Sequence, residues 1–155
     1  MRLLTPDLIV RRAHAAEVID LRHAVLRRGL PRAEAIFPGD DAPEARHYGA
    51  FRAGEILCCV TLHASQWETE PAYQLRGMAT APSVRRTGIG RRVMEWMEQD
   101  LRAAAGRGEA ALLLWCNARV PAVGFYRAMG WAIVSDEFDI PTAGPHFRML
   151  KRLAP

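Results

Sequence analysis

The sequence predicts a mixed α/β fold whose sheet is mainly antiparallel and contains one parallel step. Apolar residues recur at helical spacing in three segments, and short strand-like runs lie between and around them. Several of these runs follow one another across tight turns, which predicts antiparallel neighbours. A continuous apolar run, AALLLWC at residues 110–116, follows a helix and is typical of a strand buried on both faces in a parallel pairing.

The composition is that of one globular domain. The chain has 155 residues, half of them apolar and a quarter charged, and its formal net charge is +4. That charge suits an anionic ligand, and it suits plain solubility equally. Cys58, Cys59 and Cys116 lack metal-ligand spacing, so we expect reduced thiols and no metal. Neither a signal-peptide pattern nor a run of ~20 apolar residues is present, which predicts a soluble, cytoplasmic protein.

In the first half of the chain, turn residues separate one helix from three strands. The predicted elements are a strand at 6–13, a helix at 15–28, a helical turn near 32–36, and strands at 47–51 and 55–64. The helix carries Val18, Leu21 and Val25 on one face, and Gly29 followed by Pro31 ends it. The two later strands, separated by RAG, are expected to form a hairpin.

The second half alternates strands with two further helices. The predicted elements are a strand at 72–81, a helix at 88–105, a strand at 110–116, a helix at 120–129, and strands at 131–138 and 146–153. The helix at 88–105 has the clearest apolar stripe, which includes Ile89, Val93 and Leu101. Gly77 lies in the middle of a strand, where glycine weakens pairing unless a bulge or a close approach requires it.

The segment VRRTGIGRRV, residues 84–93, places four arginines around the start of a helix. The first turn of a helix exposes unpaired N–H groups and the positive end of the helix dipole, so arginine is unfavourable there. Gly88 and Gly90 let the backbone turn sharply and leave no side chain between it and a ligand. A helix start reached through such a turn binds anions. The segment therefore favours a phosphate-bearing ligand, which would relieve the repulsion among the arginines.

Three other interpretations of this segment were possible, and the sequence excludes two of them. A P-loop needs Gly-Lys-Ser or Gly-Lys-Thr, which the sequence lacks. A dinucleotide fingerprint needs a third glycine at position 93, where the chain has Val93. A solvated arginine cluster, with the glycines serving only the turn, stays open on the segment alone.

RRTGIG resembles the Gln/Arg-x-x-Gly-x-Gly/Ala acetyl-CoA signature of the GNAT superfamily of N-acetyltransferases, with Arg85, Gly88 and Gly90 at its defining positions. LRGMATAPSV before it is similar to the family's fourth strand with its bulge, and LLLWCNARVPAVGFYRAMGW after it is similar to the next strand–helix unit. FDIPTAGPHFRM is similar to the last hairpin of some bacterial members. The resemblance covers the whole chain. It implies the GNAT fold, with six or seven strands and about four helices, in a single N-acetyltransferase domain at residues 1–155.

The resemblance implies acetyl-CoA as the donor and no metal. Main-chain N–H groups would hold the pyrophosphate of coenzyme A, assisted by Arg85 and the helix dipole. Backbone groups of Met78, Ala79 and Thr80 would pair with the pantetheine arm like an added strand. Asn117 would bind the pantetheine amide or cap the next helix. The pyrophosphate-binding residues would be Arg86, Thr87, Gly88, Ile89 and Gly90.

The implied reaction is acyl transfer from a thioester to an amine. Tyr126, in an FY run typical of the family, would donate a proton to the leaving thiolate. The attacking amine needs a base, because an alkyl ammonium has a pKa near 10.4. In many relatives a glutamate of the fourth strand serves as that base. Here the strand instead carries Tyr73, Gln74, Leu75 and Arg76.

The sequence therefore leaves several candidates for the base and the acceptor site. The candidate bases are Glu68, Glu70 and His146. His146 titrates near neutral pH when unperturbed, so it is taken as the second catalytic residue, although a purely structural role stays open. Arg76 would hold a carboxylate of the substrate. Asp40 and Asp41, in the loop after the first helix, would attract a cationic amine or only solvate a turn.

These assignments predict an enzyme that moves an acetyl group from acetyl-CoA to a primary amine of a small molecule or peptide, by direct attack in a ternary complex. A catalytically weak coenzyme A-binding regulatory or interaction module is the alternative, because the fourth-strand glutamate is missing. A nucleic-acid binder is disfavoured, since no aromatic residues interleave with the arginines. We expect no nucleic-acid and no membrane partner. Relatives often form homodimers, and the sequence leaves that state open.

Overall fold

The computed structural model of the chain describes residues 6–155. Residues 1–5, which the predicted domain includes, lie outside the described residues. Eight strands and three α-helices lie within the described part: β1 (Leu8–Ala13), α1 (Ala15–Leu26), β2 (Arg46–Arg52), β3 (Glu55–Trp67), β4 (Glu70–Thr80), α2 (Ile89–Gly106), β5 (Leu113–Arg119), α3 (Val123–Ala128), β6 (Ala132–Ile133), β7 (Phe138–Ile140) and β8 (Gly144–Arg152).

The strands form a mixed sheet. Hydrogen bonds join them in the order β1-β2-β3-β4-β5-β8-β6, and β7 pairs with β8. The pairing of β4 with β5 is parallel and runs from Tyr73 opposite Leu114 to Leu75 opposite Cys116. The pairings of β1 with β2, of β2 with β3 and of β8 with β5, β6 and β7 are antiparallel. The predicted α/β class, with a mainly antiparallel sheet and one parallel step, is confirmed.

The number of elements differs slightly from the prediction. In place of the single strand predicted at 131–138, the structure has β6 within that range and β7, which begins at Phe138 and continues beyond it, so the described sheet has eight strands instead of six or seven. The last helix is shorter than predicted, because residues 120–122 form a separate 3-10 turn before it. The helical turn predicted near 32–36 is also a 3-10 turn, at Arg32–Ala35. Three α-helices therefore lie in the described residues where about four were predicted.

The described chain divides into two compact units, and β3, β4 and α2 each contribute residues to both. The first unit contains the residues up to Leu62 together with Gly77–Met97. Its buried cluster joins α1 to the sheet and consists of Val18, Leu21, Cys59 and Ala79. The second unit contains His63–Arg76 and Glu98–Pro155. In that unit Leu114, Cys116 and Met149 are buried on one face of β5 and β8.

None of the helices in residues 6–155 has both the length and the apolar character needed to cross a membrane. No group of three or more His, Cys, Asp or Glu side chains in the same part of the chain is placed to hold a metal ion.

All three cysteines are buried free thiols. Burial raises the pKa of Cys58 to about 11 and those of Cys59 and Cys116 to about 12. Because the thiolate is the reactive form, we expect iodoacetamide at neutral pH to modify the folded protein at least ~100-fold more slowly than the protein unfolded in urea. Mass spectrometry after timed quenching counts the modified cysteines. Rapid modification of any cysteine in the folded protein would contradict its burial.

Candidate active site

The turn between β4 and α2 presents unpaired backbone donors. A 3-10 turn at Pro82–Val84 leads into residues 85–88, and α2 begins at Ile89. Arg86 has a φ of +62° and Gly88 a φ of +84°, both in the left-handed region. Among the described residues, none accepts a hydrogen bond from the N–H groups of residues 86–90. Successive N–H groups in this conformation form a concave surface suited to an anion.

Positive charge surrounds this turn. No acidic residue lies in the first turn of α2. The side chains of Arg85, Arg86 and Arg92 have no hydrogen-bond or ion-pair partner among residues 6–155. Arg91 forms an exposed pair with Glu95 at 3.3 Å, which contributes little stability. Arg92 also lines a cavity of about 170 Å³ beside the turn. The turn therefore combines free backbone donors with uncompensated cations.

Gly77 marks a bend in β4 shortly before this turn. Its φ of +65° favours glycine, and a Cβ atom there would lie 2.7 Å from Nε of Arg22. The sequence left open whether a bulge or a close approach of backbone requires Gly77, and the structure shows that a side chain, that of Arg22, lies closest to it. Beyond the bend, Ala79 is buried in the core cluster, while Met78 and Thr80 are only half-buried. The residues predicted to pair with pantetheine thus lie on a strand segment anchored by Ala79.

Arg22, which is fully buried, belongs to a closed ring of polar contacts. Its Nη1 donates to Oδ2 of Asp40 at 2.6 Å, and its Nη2 donates to Oγ1 of Thr61 at 2.6 Å. His47 closes the ring, with Nδ1 2.7 Å from Thr61 Oγ1 and Nε2 2.9 Å from the Asp40 carbonyl oxygen. The ring fixes the loop that carries Asp40 against α1 and β3.

This ring contradicts the role predicted for Asp40. Its carboxylate accepts hydrogen bonds from Arg22 and from the Phe37 N–H, the latter at 2.8 Å, and the residue is only 4% exposed. The Arg22 guanidinium already balances the Asp40 charge, so Asp40 is not placed to attract an amine from solvent. The neighbouring Asp41 is exposed.

In the second unit, Tyr126 lies on α3 and is buried. Its ring packs edge-on against Phe125 at 5.4 Å and against Trp131 at 5.3 Å between ring centroids. Aromatic packing on two sides restricts the orientation of the phenol. A proton donor needs such a fixed orientation, although a purely structural tyrosine would pack in the same way.

His146 on β8 has a defined tautomer. Its Nδ1 lies 2.7 Å from the carbonyl oxygen of Gly144. Because a carbonyl oxygen only accepts, Nδ1 carries the proton and the neutral ring presents its lone pair at Nε2. Nε2 has no hydrogen-bond partner among the described residues. Phe138 stacks on the ring with centroids 6.0 Å apart. His146 is therefore held with its basic atom free.

The two glutamates that were alternative bases lie at the turn between β3 and β4. Glu70 forms an ion pair with Arg152, whose hydrogen bonds lower the pKa of the Glu70 carboxyl and make it a weaker base. Glu68 is exposed in the turn itself, with a φ of +55°. Of the three candidates, His146 is the one that combines burial with a free basic atom.

Asn117 lies opposite Arg148 in the register of β5 and β8. Its Oδ1 accepts a hydrogen bond from Nε of Arg148 at 3.3 Å. The capping positions of the next 3-10 turn and of α3 are occupied by Arg119 and Ala122, so Asn117 caps neither helix. The capping alternative is therefore wrong. Nδ2 of Asn117 has no partner among residues 6–155 and is available to a ligand.

The sequence predictions did not single out Arg22 or Arg148. Arg22 interrupts the apolar stripe of α1, which is the one local sign that it is buried. His146 and Arg148 are alternate residues of HFRML, so they lie on one face of the strand. A polar face turned to solvent shows the same alternation, so the pattern did not single out Arg148. Arg76, which was predicted to hold a carboxylate, is half-buried on β4 and has contacts of its own.

Comparisons with known proteins agree with this fold. Residues 15–131 match the model of the acetyltransferase (GNAT) family. YitI of Bacillus subtilis strain 168, described as an uncharacterized N-acetyltransferase, is 32% identical over 147 residues, which cover 93% of this chain and 95% of the relative. YjcF of the same strain, described in the same way, is 30% identical over 89 residues, 57% of this chain and 60% of the relative.

Solved structures with the same fold include two with nearly complete overlap. An aminoglycoside 6'-N-acetyltransferase in complex with coenzyme A has a TM-score of 0.73 and 16% identity, covering 95% of this chain and 98% of that one. ElaA of Escherichia coli has a TM-score of 0.74 and 15% identity, covering 94% and 100%. At these identities the likeness concerns the fold. Together with the family match and YitI, it confirms the resemblance found in the sequence: the chain belongs to the acetyltransferase (GNAT) family.

Proposed function

We propose that the protein transfers an acetyl group from acetyl-CoA to a primary amine of a small molecule or peptide, by direct attack of the amine in a ternary complex. The observation that carries this proposal is the run of unpaired N–H groups at residues 86–90, where the 18-residue helix α2 begins. These donors and the helix dipole suit the pyrophosphate of coenzyme A. The complex of the aminoglycoside 6'-N-acetyltransferase with coenzyme A supports the same donor.

The donor would be held mostly by main-chain groups. The loop formed by Arg86, Thr87, Gly88, Ile89 and Gly90 binds the pyrophosphate, and the free guanidinium of Arg85 adds charge-assisted hydrogen bonds. The backbone of residues 78–80 pairs with the pantetheine arm as an added strand. Nδ2 of Asn117 donates to a pantetheine carbonyl. The half-buried state of Met78 and Thr80 and the free Nδ2 support this arrangement.

Two side chains of the second unit would handle the protons. The ammonium of the acceptor first loses one proton to solvent, and the neutral amine nitrogen then bonds to the thioester carbonyl carbon. His146 accepts the next proton from that nitrogen at Nε2, the nitrogen that the Gly144 contact leaves unprotonated, and the C–S bond breaks. Tyr126 donates its hydroxyl proton to the departing sulfur and regains one through solvent from the protonated His146. The products are the acetylated amine and coenzyme A with a free thiol, so atoms and charges balance.

A coenzyme A-binding regulatory module is the second candidate function. The observation that favours it is that the middle of β4 has no acid: half-buried Gln74 and Arg76 lie there, and Glu70 at the start of the strand is paired with Arg152. Such a module would bind acetyl-CoA and leave the thioester intact.

On the acceptor side, Arg76 and Asp41 remain the proposed contacts of an enzyme, and Asp40 is not among them.

We also propose that residues 1–155 act as one N-acetyltransferase domain in the cytoplasm. The family match at residues 15–131 includes segments of both compact units, which supports a single functional domain. Three buried free thiols suit a reducing compartment.

Release of free thiol from acetyl-CoA across a broad panel of amines tests the proposed function. An enzyme releases thiol with at least one amine, at a rate proportional to protein concentration, and yields the acetylated amine by mass spectrometry. Binding of acetyl-CoA without thiol release for any amine would instead favour the regulatory module. Failure to bind acetyl-CoA would contradict both candidates.

Tyr126→Phe is expected to lower kcat by about 100-fold or more, because general acid catalysis typically contributes at least that factor. The ring and its packing against Phe125 and Trp131 are kept, so the Kd of acetyl-CoA should not change. Steady-state kinetics and calorimetric titration measure the two quantities. Tyr48→Phe is the matched control, since it removes the hydroxyl of another fully buried tyrosine, in the first unit. Equal kcat values for wild type and Tyr126→Phe would exclude Tyr126 as the acid.

A further inference from the structure

Arg148 is held in place at nearly every point except the end of its side chain. Its backbone N–H donates to Oγ of Ser135 at 2.8 Å, and its carbonyl oxygen accepts from the Val134 N–H at 2.9 Å. Its Nε donates to Oδ1 of Asn117. Both the main chain and the base of the guanidinium are therefore fixed by neighbours on either side of β8.

Two aromatic rings position the guanidinium further. Its Cζ lies 5.3 Å from the ring centroid of Trp115 and 5.6 Å from that of Phe138, both within the range of cation–π attraction. Trp115 is itself oriented, because its Nε1 donates to Oγ of Ser65 at 3.2 Å. A guanidinium that neighbouring rings and a hydrogen bond hold in place loses little side-chain entropy when it binds a ligand.

The terminal nitrogens of Arg148 are free. Neither Nη1 nor Nη2 has a hydrogen-bond or ion-pair partner among residues 6–155. The nearest comparison on the same strand is Arg152, which already forms an ion pair with Glu70. A half-buried, oriented guanidinium with two free N–H groups on one edge matches the two oxygens of a carboxylate.

The same face of β8 also carries the proposed base. His146 and Arg148 are two residues apart, so their side chains lie on one face with their Cα atoms about 7 Å apart. Phe138 contacts both side chains. An acceptor with an amine and a carboxylate separated by one to a few carbons fits this spacing when each end makes a hydrogen bond of about 3 Å.

We propose that Arg148 binds a carboxylate of the acceptor, so that the substrate is an amine of the amino-acid class. The proposal rests on the proposed acetyl transfer and specifies its acceptor. It assigns the carboxylate to Arg148, and Arg76 remains a proposed contact of another part of the acceptor. The one positive charge of Arg148 balances the single charge of a carboxylate, whereas a phosphate monoester carries about −1.5 to −2 at pH 7 and would leave part of its charge uncompensated.

The test compares acceptors that differ only in the carboxylate. Full-length protein saturated with coenzyme A is titrated by calorimetry with L-phenylalanine, L-histidine or L-arginine and with the matching amines phenylethylamine, histamine and agmatine, and with further L-amino acids paired in the same way. We expect at least one amino acid to bind about 10- to 100-fold more tightly than its amine, the range of a charge-assisted pair. If no amino acid binds more tightly than its amine, or if O-phosphoethanolamine binds more tightly than every amino acid, the proposal is wrong.

Variants show whether Arg148 causes that preference. Arg148→Gln should weaken the amino acid about 10- to 100-fold and leave its amine unchanged, and Arg148→Lys should restore part of the loss. Arg152→Gln is the matched control, because it removes an already paired arginine from the same face. A merely structural role would weaken both members of a pair and coenzyme A alike, which would contradict the proposal. If Arg148→Gln does not fold, Arg148→Lys tests the proposal. Lysine has one terminal nitrogen, so an unchanged preference for the amino acid over its amine in that variant would contradict recognition by two nitrogens.

Thiol release with the same pairs separates this proposal from the proposed function. Thiol release from both members of every pair at equal kcat/KM would refute the carboxylate site and keep the acetyltransferase. Tight, Arg148-dependent binding of an amino acid without thiol release would keep the carboxylate site and refute the acetyltransferase.

Discussion

Gly88→Asp is expected to weaken acetyl-CoA binding by about 100- to 1,000-fold. The substitution brings a carboxylate to the unpaired N–H groups of residues 86–90, where the pyrophosphate is proposed to lie. Two like charges about 4 Å apart at a protein surface repel by about 4 kcal/mol, and 1.4 kcal/mol is a factor of ten. The free guanidinium groups of Arg85 and Arg86 screen part of that repulsion, which gives the lower end of the range.

Gly88→Asn provides the matched control, because asparagine has nearly the shape of aspartate without its charge. Apart from its two chain neighbours, no atom lies within 4 Å of a Cβ built at Gly88, so both side chains start in open space. Both variants bear the same cost of a φ of +84°, a region that Asn and Asp tolerate better than most residues. The difference between the two variants therefore isolates the effect of charge on the anion site.

Calorimetric titration of both variants with acetyl-CoA, at low and high salt, measures this difference. We expect Gly88→Asn to bind within about tenfold of the wild type, and the gap between Asp and Asn to narrow as salt screens the charges. Equal affinities of the two variants would show that no phosphate lies at this turn. Thermal unfolding without ligand should be the same for both and so exclude a folding defect.

The donor segment could be predicted from the sequence because its signal is local. Gly88 and Gly90, the arginines around them and the apolar stripe of α2 all lie within one strand–turn–helix unit. The glycine in β4 was also informative, since a mid-strand glycine needs a reason, and Gly77 has one in its φ and in the side chain beneath it. What the residues themselves did not indicate was the left-handed conformation of Arg86.

The acceptor side was harder to predict because its contacts join residues that are distant in the sequence. Asp40 looked like an available carboxylate in a polar loop, and nothing near it indicates that Arg22 reaches it from α1. Arg148 acquires its surroundings from Asn117, Phe138 and Ser135, which lie ten or more positions away in the sequence. Turn residues and periodicity specify elements, whereas such side-chain pairs depend on the assembled sheet.

Removal of either partner of the Arg22–Asp40 pair is expected to lower the free energy of unfolding by about 3–5 kcal/mol. Arg22 is fully buried and Asp40 nearly so, and their closest N–O distance is 2.6 Å. Arg22→Met removes the guanidinium that pairs with the Asp40 carboxylate and keeps the hydrogen bond from the Phe37 N–H. Asp40→Asn keeps the size of the side chain and leaves a buried guanidinium without its counter-charge. Urea denaturation followed by circular dichroism measures both losses.

The pair Arg32–Asp20 is a matched control on the surface. Its N–O distance is 2.8 Å, close to that of the buried pair, but its side chains are 52% and 82% exposed. Asp20→Asn should therefore change the free energy of unfolding by less than about 1 kcal/mol. The contrast between two arginine–aspartate pairs of similar geometry separates the effect of burial from that of the contact itself.

A double variant tests whether the buried pair stabilises the fold or only becomes costly when broken. Arg22→Met combined with Asp40→Leu replaces both charges by apolar groups, so neither charge is left unpaired, although Thr61 and the Ala35 carbonyl each lose a donor. The double variant should lose at least 1 kcal/mol less unfolding free energy than the sum of the losses of the two single variants. Each single variant includes the cost of a buried charge left without its partner, and the double variant does not. Strictly additive losses would mean that Arg22 and Asp40 contribute independently, and the ring would then not be the element that holds the Asp40 loop against α1 and β3.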